Sequence, residues 1–436
     1  MRIVFAAVLA LAAPAIPQAA AADVEIQSVT SPGGITAWLV ENHEIPFTAL
    51  ELRFKGGASL DDEGKRGATN LMMATLEEGS GDMDSRTFAK AAESLAAQFS
   101  FDTGNDSVAI SAQMLTENRD EAVALLRRAL IEPSFPQDAV DRVRGQVRSI
   151  LQSDATDPNA IASETFAKLA FGDHPYGSTL NGTEESLNAL TREDLIAAKA
   201  RVLAKDRLYV AAVGDITPEA LGVMLDDLLG ALPDTGAPMP EEASLGLTGG
   251  VTIVPYDSPQ SVVIFGQEGI DIDDPEFFAA YVANQILGDG GFSSRLMDEV
   301  REKRGLTYGI SSYLVPRDFA ATWQGSFASA NEKVAQAVEV IRDQWAKMAE
   351  GGVTEQELTE AKTYLTGAYP LRFDGNGNIA GILVGMQMDG YPIDYPAGRN
   401  AKIEAVTAED VAAVSKRLLN KDALRFVIVG QPEGLE

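Results

Sequence analysis

The sequence predicts an α+β protein of two related halves, each with helices packed on a mostly antiparallel sheet. The first observation is an internal repeat, because residues 191–214 align without a gap with residues 407–430. The second is that strand and helix patterns occur in clusters and not in strict alternation, which favours α+β over a parallel α/β sheet. The third is a Pro-rich polar segment, residues 232–247, with the composition of a linker between the halves.

The chain starts with the pattern of a secretory signal peptide, which we assign to residues 1–22. Arg2 supplies an early positive charge, and a short apolar run leads to a small-residue end with a cleavage site near Ala22. A membrane anchor is the alternative, but Pro14 and Pro17 interrupt an apolar run that is too short to span a bilayer. We therefore expect a mature chain that is exported to a periplasm and has no membrane-spanning segment.

The composition argues against several classes of binding partner and of metal site. The formal net charge is -29, which argues against nucleic acid and anionic membrane surfaces as partners and permits basic peptides. The chain has no cysteine, so disulfides and thiolate metal sites are excluded. Its only two histidines are His43 and His174, and neither has a second ligand at helical spacing, which disfavours a histidine-based metal site.

The first half, residues 23–231, is predicted to begin with strands and to continue with long helices. Alternating apolar residues predict strands, and apolar residues at helical spacing predict helices. The predicted strands are 48–55 and 107–114, and the predicted helices are 65–78, 85–98, 117–131, 136–153 and 160–171. The half ends with the repeated helix and strand, in which Thr191 is the predicted N-cap and Asp194 lies near the positive end of the helix.

The second half, residues 248–436, is predicted to mirror the first. The predicted strands are 262–267, 308–315 and 321–327, and the predicted helices are 274–287, 331–349, 354–373 and 379–389. This half also ends with the repeated unit, in which Thr407 is the predicted N-cap and Asp410 follows three residues later.

One stretch of the second half, residues 287–313, combines a glycine-rich turn, an amphipathic helix and the start of a strand. Phe292, Leu296 and Val300 recur every four residues and predict one apolar helical face. Gly305 follows as the predicted C-terminal cap of that helix.

Arg301 on this helix and Tyr308 at the start of the strand are predicted to face the same space. The turn before the helix contains Gly288, Gly290 and Gly291, which allow the backbone to approach a ligand or another backbone closely. The alternative is that Arg301 is a solvated helix charge and Tyr308 a core aromatic. The residue pattern alone leaves both interpretations open.

Residues 287–296 together with 301–308 closely resemble the second domain of the pitrilysin, insulinase and mitochondrial processing peptidase family. Residues 56–68, the run His174-Pro-Tyr-Gly and residues 213–215 are similar to other landmarks of that family. The resemblance covers nearly the whole mature chain. It implies two duplicated metalloenzyme-type α+β roll domains, as in the mitochondrial processing peptidase.

The resemblance also implies that the zinc motif is degenerate in this chain. The family carries an inverted motif, H-x-x-E-H, in which two histidines bind zinc and the glutamate is the general base. The family's first His falls on Thr69, its Glu on Met72, its second His on Met73, and a downstream Glu ligand at or near Ile150. A thioether is a poor zinc ligand and accepts no proton, so we expect no zinc in this chain and an apolar helix face instead.

In the family, an Arg and a Tyr of the second domain contact the substrate carbonyl, and by position these are Arg301 and Tyr308. Some members divide the two halves of the site between subunits, one with zinc and one with the Arg/Tyr pair. The chain resembles the second type, with Gly288, Gly290 and Gly291 beside the bound peptide. We therefore expect a heterodimer with a zinc-bearing homologous subunit, in which this chain alone is inactive.

Two further hypotheses belong to other functional classes. The chain is alternatively a non-catalytic binding or assembly protein, similar to the family's core subunits of respiratory complexes. The weaker alternative is a chamber that only sequesters peptides. An intact Arg301/Tyr308 pair favours the peptidase subunit, because a structural role does not need it.

Overall fold

The computed structural model describes residues 25–435, so the predicted signal peptide lies outside the described residues. The strands are β1 (Gln27–Thr30), β2 (Thr36–Glu41), β3 (Phe47–Lys55), β4 (Gly79–Ser80), β5 (Met83–Asp84), β6 (Gln98–Thr103), β7 (Ser107–Leu115), β8 (Leu208–Gly214), β9 (Gly250–Pro255), β10 (Gln260–Glu268), β11 (Ile310–Arg317), β12 (Ala320–Ala330) and β13 (Arg425–Gly430).

The α-helices occur in groups between groups of strands. They are α1 (Ala68–Met73), α2 (Ser85–Ser94), α3 (Arg119–Ile131), α4 (Gln137–Asp154), α5 (Pro158–Phe171), α6 (Glu184–Ala189), α7 (Arg192–Val202), α8 (Pro218–Leu229), α9 (Phe277–Asn284), α10 (Val334–Gly351), α11 (Glu355–Ala368), α12 (Asn376–Met388), α13 (Tyr395–Ala405) and α14 (Ala408–Leu418). Two π-helical segments, Gln285–Asp289 and Met297–Glu302, lie in the stretch that contains the glycine-rich turn. No helix within residues 25–435 is long and apolar enough to cross a membrane.

The two large sheets repeat one topology. The first has the order β1-β2-β8-β3-β7-β6 and the second the order β11-β12-β10-β13-β9. Read from β9, the second sheet has the order β9-β13-β10-β12-β11. This order corresponds strand for strand to β2-β8-β3-β7-β6 of the first sheet. In both, the first pair of that set is parallel and the other pairs are antiparallel. The predicted fold class, two duplicated α+β halves with mostly antiparallel sheets, is confirmed.

The repeated unit ends each half in the same way. The Thr191 hydroxyl accepts a hydrogen bond from the Asp194 amide, and the Asp194 carboxylate accepts one from the Thr191 amide at 2.7 Å. Thr407 and Asp410 form the same reciprocal capping box. The helices that follow lead into β8 and β13, which lie inside their sheets and are almost fully buried. Both predicted N-caps are confirmed.

Each sheet is covered on one face by a helix from the other half. Helix α12 packs on β3 and β8, where Leu383 and Val384 meet Ala49 and Val213 of the first sheet. Helix α5 packs on β10 and β13 of the second sheet, with Phe166 buried at that contact. The two halves are therefore interlocked through apolar contacts in both directions.

The predicted linker, residues 232–247, runs across both halves without regular structure. Leu232 belongs to the apolar core of the first half. Farther along, the Ala243 amide donates to the Phe319 carbonyl at 2.8 Å, and the Gly246 amide donates to the Ala170 carbonyl at 2.8 Å. These bonds attach the segment along its length. The domain limits at residues 231 and 248 stay a prediction.

The predicted helix 65–78 is wrong in length, because α1 spans only Ala68–Met73. The Asp61 carboxylate accepts hydrogen bonds from the amides of Gly67 and Thr69, which sets the start of the helix. At the other end, the Thr75 hydroxyl donates to the carbonyls of Leu71 and Met72, at 2.7 and 3.0 Å. Side-chain bonds of this kind compete with the backbone ladder, so turns follow where the pattern predicted another helical turn.

Candidate functional site

Arg301 and Tyr308 line one cleft of 420 Å³ in the second half. Gln260 and Lys333 border the same cleft, together with the loop residues 305–308. All of the lining residues lie between positions 260 and 333, so the cleft contains no part of α1. The structure therefore brings the predicted pair together, but away from the degenerate zinc positions.

Tyr308 projects into solvent from a loop that is held firmly to β12. Its side chain is 88% exposed, so the alternative of a core aromatic is wrong. The Thr307 hydroxyl donates to the Ala328 carbonyl at 2.7 Å, and the Ser329 hydroxyl donates to the Leu306 carbonyl at 2.5 Å. The fixed backbone presents the phenol hydroxyl as a free donor toward the cleft.

Arg301 lies in the last turn of the helix that follows the glycine-rich turn. Its Nη1 donates to the Glu302 carboxylate at 2.6 Å, and its guanidinium lies over the Phe292 ring, 4.6 Å from the ring centre. Phe292 is 69% exposed, so its predicted place on the buried helix face is wrong. It belongs to a separate 3-10 turn, Gly291–Ser293, which ends before the helix begins.

Leu296 and Val300 do lie on the buried helix face, as predicted. Gly305 adopts a φ of 60°, and its amide donates to the Arg301 carbonyl at 2.8 Å, so the predicted C-terminal cap is confirmed. This cap ends the helix between Arg301 and the loop that carries Tyr308, and so helps to set where the two residues lie relative to each other.

The three glycines of the turn differ in why glycine suits their positions. A Cβ on Gly288 would lie 2.6 Å from the Ser312 amide nitrogen, and one on Gly290 would lie 2.6 Å from the Gln285 carbonyl oxygen. Packing within the chain therefore requires both of these glycines. Gly291 has a φ of 54° and open space around it. Gly288 and Gly291 also border a cavity of 640 Å³ along β11, and the predicted substrate-binding role of the three stays a prediction.

The degenerate zinc positions on α1 are sealed in the core of the first half. Thr69 and Met72 are 0% exposed and Met73 is 1% exposed. The Thr69 hydroxyl donates to the Asp61 carboxylate at 2.6 Å, so its hydrogen-bonding capacity is used inside the chain. The predicted apolar face is present, because both methionines belong to the main apolar cluster.

Ile150, at the predicted downstream ligand position, is 47% exposed on α4. The core-facing residues of that helix are Val140, Val143 and Val147, and a 3.6-residue period continues them at Leu151. Ile150 therefore faces away from that core, and the assignment of the family's downstream ligand position at or near Ile150 stays a prediction. Within residues 25–435, no group of three or more His, Asp or Glu side chains is arranged to hold a metal ion.

The two histidines have opposite environments. His43 lies in the turn between β2 and β3, where Nδ1 is 2.7 Å from the Asp215 carboxylate and Nε2 is 3.2 Å from the Glu41 carboxylate. These hydrogen bonds raise the pKa of His43. Burial lowers the pKa of His174, whose Nε2 lies 3.2 Å from the Glu241 carbonyl oxygen.

The residue pattern missed one ion pair that positions the site. Arg295, in the first turn of the helix that carries Arg301, donates from Nε and Nη2 to the two carboxylate oxygens of Glu357, at 2.6 and 2.8 Å. Burial opposes ionisation of Glu357, but the bonds from Arg295 and Thr354 hold its pKa at about 2. The pair ties the glycine-rich turn to α11. The two residues are far apart in the chain, so no local signal indicated the contact.

Two protein-family models match the chain. The model of insulinase, peptidase family M16, matches residues 37–184. The model of the peptidase M16 inactive domain matches residues 189–365. Together these matches cover most of the chain and fall in its two halves.

Relatives of similar length are found among curated sequences and solved structures. The non-peptidase homologue YmxG of Helicobacter pylori is 26% identical over 393 residues, which cover 89% of this chain and 90% of the relative. An uncharacterized zinc protease of Mycobacterium leprae is 26% identical over 409 residues, covering 92% of this chain and 91% of the relative.

The crystal structure of a peptidase M16 inactive domain from Pseudomonas fluorescens superposes with a TM-score of 0.88 at 29% identity. The match covers 94% of this chain and 100% of that one. A protease from Helicobacter pylori superposes with a TM-score of 0.83 at 16% identity, covering 93% of this chain and 99% of that one, which supports the fold alone.

Proposed function

The chain belongs to the insulinase family, peptidase family M16, and from that premise we propose that it is the zinc-less subunit of an exported heteromeric metallopeptidase. A zinc-bearing homologous subunit supplies the metal and the general base. This chain binds the peptide substrate and places Arg301 and Tyr308 against the scissile carbonyl. Their donors stabilise the negative charge that develops on that oxygen in the transition state.

The observation that carries this proposal is the shared cleft of Arg301 and Tyr308. Tyr offers one hydroxyl donor and Arg a fixed fork of donors, which together suit a developing oxyanion. Tyr308 is 88% exposed on a loop fixed by side-chain hydrogen bonds. A donor with such exposure and so little backbone freedom has no evident role in folding, and it is well placed to complete a site on another chain.

The buried positions on α1 support the zinc-less assignment. Thr69, Met72 and Met73 contribute to core packing and offer no ligand set. The activity of the complex therefore depends on a partner with an intact H-x-x-E-H helix. We place the complex in the periplasm, because residues 1–22 have the pattern of a secretory signal.

The test uses the mature chain, alone and co-expressed with a homologous subunit that carries the intact zinc motif. Alone, the chain is expected to cleave no peptide and to retain no stoichiometric zinc. The complex is expected to cleave peptides, and Arg301→Ala or Tyr308→Phe is expected to lower its kcat roughly a hundredfold with little change in KM. Arg304→Ala is the matched control, because Arg304 is on the same segment, outside the cleft, and pairs with Glu299.

Chelator-sensitive cleavage by the purified chain alone would overturn the proposal. A complex that stays fully active with both variants would favour the second candidate, a non-catalytic binding or assembly protein. The name of the Helicobacter pylori relative, a non-peptidase homologue, favours that candidate. Peptide binding without cleavage in every complex tested would instead support the sequestering chamber.

A further inference from the structure

A second cavity in the C-terminal half has no part in the proposed peptidase site. Its volume is 160 Å³, and its walls come from α9 and its π-helical continuation, from α11 and from α13. It shares no lining residue with the Arg301/Tyr308 cleft. The volume suffices for several waters or for one small organic ion, but not for a folded partner.

The cavity contains a buried arginine that lacks a counter-ion. Arg399 is 5% exposed, and its Nη1 donates to the Leu365 carbonyl at 2.8 Å and to the Asn400 side-chain oxygen at 3.2 Å. Across residues 25–435, no carboxylate lies within 4.0 Å of its guanidinium. A buried charge is costly unless it is paired, so an anion bound in the cavity would offset part of the cost of burying Arg399.

Aromatic rings and a second cation complete the cavity. The Arg399 guanidinium lies 4.4 Å from the Tyr369 ring centre and 5.7 Å from that of Tyr281. The Tyr369 hydroxyl is buried and, among the described residues, has no hydrogen-bond partner. Arg372 is exposed and lies at the mouth of the cavity. A ligand with oxygen acceptors would satisfy both the orphaned hydroxyl and the guanidinium.

Asp289 limits the charge of the ligand. Its carboxylate lines the same cavity, where burial raises its pKa and Arg372 lowers it. Two arginines and one aspartate leave one formal positive charge in the lining. One carboxylate matches that charge and the planar fork of an arginine, whereas a dianion such as phosphate would be repelled by Asp289.

We propose that this cavity binds a small monoanionic carboxylate, paired with Arg399 and Arg372 and hydrogen-bonded to the Tyr369 hydroxyl. The site lies behind the glycine-rich turn, because Gln285 and Asp289 belong to the π-helical segment that leads into it. Arg372, Arg399 and Tyr369 do not line the Arg301/Tyr308 cleft, so variants at these residues leave that cleft intact.

The test titrates the mature chain with sodium acetate and, separately, with inorganic phosphate, at constant ionic strength set with sodium chloride. Saturation-transfer NMR on the acetate methyl group and thermal denaturation are the two measurements. Acetate is expected to give a saturating transfer signal and to raise the melting temperature, because a ligand that binds only the folded state stabilises it. Phosphate is expected to do neither beyond the chloride reference.

Two variants at the cavity keep the proposal testable even if replacing buried Arg399 unfolds the chain. Arg372→Gln is expected to weaken acetate binding roughly tenfold or more, and Tyr369→Phe several-fold, with both variants folded. Arg86→Gln is the matched control, because it removes one exposed positive charge in the other half and should leave acetate binding unchanged. Absence of a saturating acetate signal, tighter binding of phosphate, or unchanged binding in both cavity variants overturns the proposal.

Discussion

Met72 and Met73 stabilise the core of the first half, at positions where the family's zinc motif falls by resemblance. Both side chains are within 1% of full burial, in contact with the apolar core of the first half. A ligand or base at these positions would need solvent or metal access that the packed core does not provide. The two methionines therefore serve the fold, and we expect that introducing the motif's residues creates no zinc site.

We predict that Met72→Glu destabilises the chain by roughly 3–5 kcal/mol, since it buries a carboxylate without a partner. The triple variant Thr69→His, Met72→Glu, Met73→His is expected to bind no stoichiometric zinc. Urea denaturation and metal analysis measure the two effects. Met239→Glu is the control, at a methionine that is 38% exposed, and should change stability by less than about 1 kcal/mol. A triple variant of native stability with one zinc per chain would contradict this prediction.

His43 and His174 are predicted to titrate on opposite sides of the ordinary histidine pKa of 6.5. Hydrogen bonds to Asp215 and Glu41 raise the pKa of His43, and burial lowers that of His174. A raised folded-state pKa means that the His43 contribution to stability is fully present below pH 6.5 and is lost as pH rises through the folded value.

The Cε1–H resonances of the two rings, followed by NMR against pH, check this prediction. The His43→Gln variant assigns the signals, because it leaves one histidine in the chain. Titration of both rings at the same pH, or in the reverse order, would show that the described contacts do not persist in solution.

At the scale of the elements, the Arg295–Glu357 pair determines where the glycine-rich turn lies against α11. Its bonds are bidentate and charge-assisted, which adds geometric specificity to their strength. Arg295 also donates to the Gly352 carbonyl at 2.9 Å, just before the N-cap of α11. The helix that carries Arg301 is thus positioned by a contact on its own first turn.

We predict that this pair makes stability depend on pH in the acid range. The pKa of Glu357 is about 2 in the folded state, against an ordinary glutamate value of 4.5. A lowered folded-state pKa gives stability that is present above pH 4.5 and is lost as pH falls toward 2. Its size is at most about 3 kcal/mol and smaller after solvent screening.

Glu357→Gln is expected to remove this part of the pH dependence in urea denaturation between pH 5 and pH 3. Glu360→Gln, at an exposed residue of the same helix, is the control and should retain it. Equal pH profiles for the two variants would count against the pair as a positioning contact.

At the scale of the whole molecule, α5 and α12 each pack on the sheet of the opposite half. We expect these contacts to make the two halves one cooperative unit. Each helix covers a sheet face that would otherwise expose apolar residues to water. Neither half can bury its sheet fully without the other. Large apolar contacts between domains also restrict their relative motion, so we expect the two halves to move little against each other.

Leu383→Ala on α12 is predicted to cost about 2–5 kcal/mol, because Leu383 is 0% exposed against the first sheet. Despite that local change, both halves should unfold in one transition. Tryptophan fluorescence in urea follows each half separately: the Trp38→Phe variant reports on the second half through Trp323 and Trp345, and the Trp323→Phe/Trp345→Phe double variant reports on the first half through Trp38.

Leu371→Ala is the control for that experiment, at a residue that is 78% exposed, with an expected change under about 0.5 kcal/mol. Separate midpoints for the two halves in the unmodified chain would show that the exchanged helices do not couple them.

Local sequence patterns predict the α+β class, the duplication, the two helix N-caps and the family, and they place no zinc ligand on α1. These depend on local spacing, and on side-chain chemistry that a single position reveals. Periodicity and N-caps at Thr191 and Thr407 act within a few residues, so tertiary contacts did not alter them. Local pattern predicts helix ends less well. Helix α1 is shorter than predicted because the Thr75 hydroxyl bonds to the carbonyls of Leu71 and Met72.

Only the tertiary structure decided which residues meet. It brought Arg301 and Tyr308 to one cleft, turned Phe292 to solvent, and assigned Gly288 and Gly290 to internal packing. It also places α5 and α12 on the sheets of the opposite halves, and it buries Arg399 with no counter-ion among the described residues. These features come from contacts between residues far apart in the chain. Their energy depends on the whole packed arrangement, which no local pattern encodes.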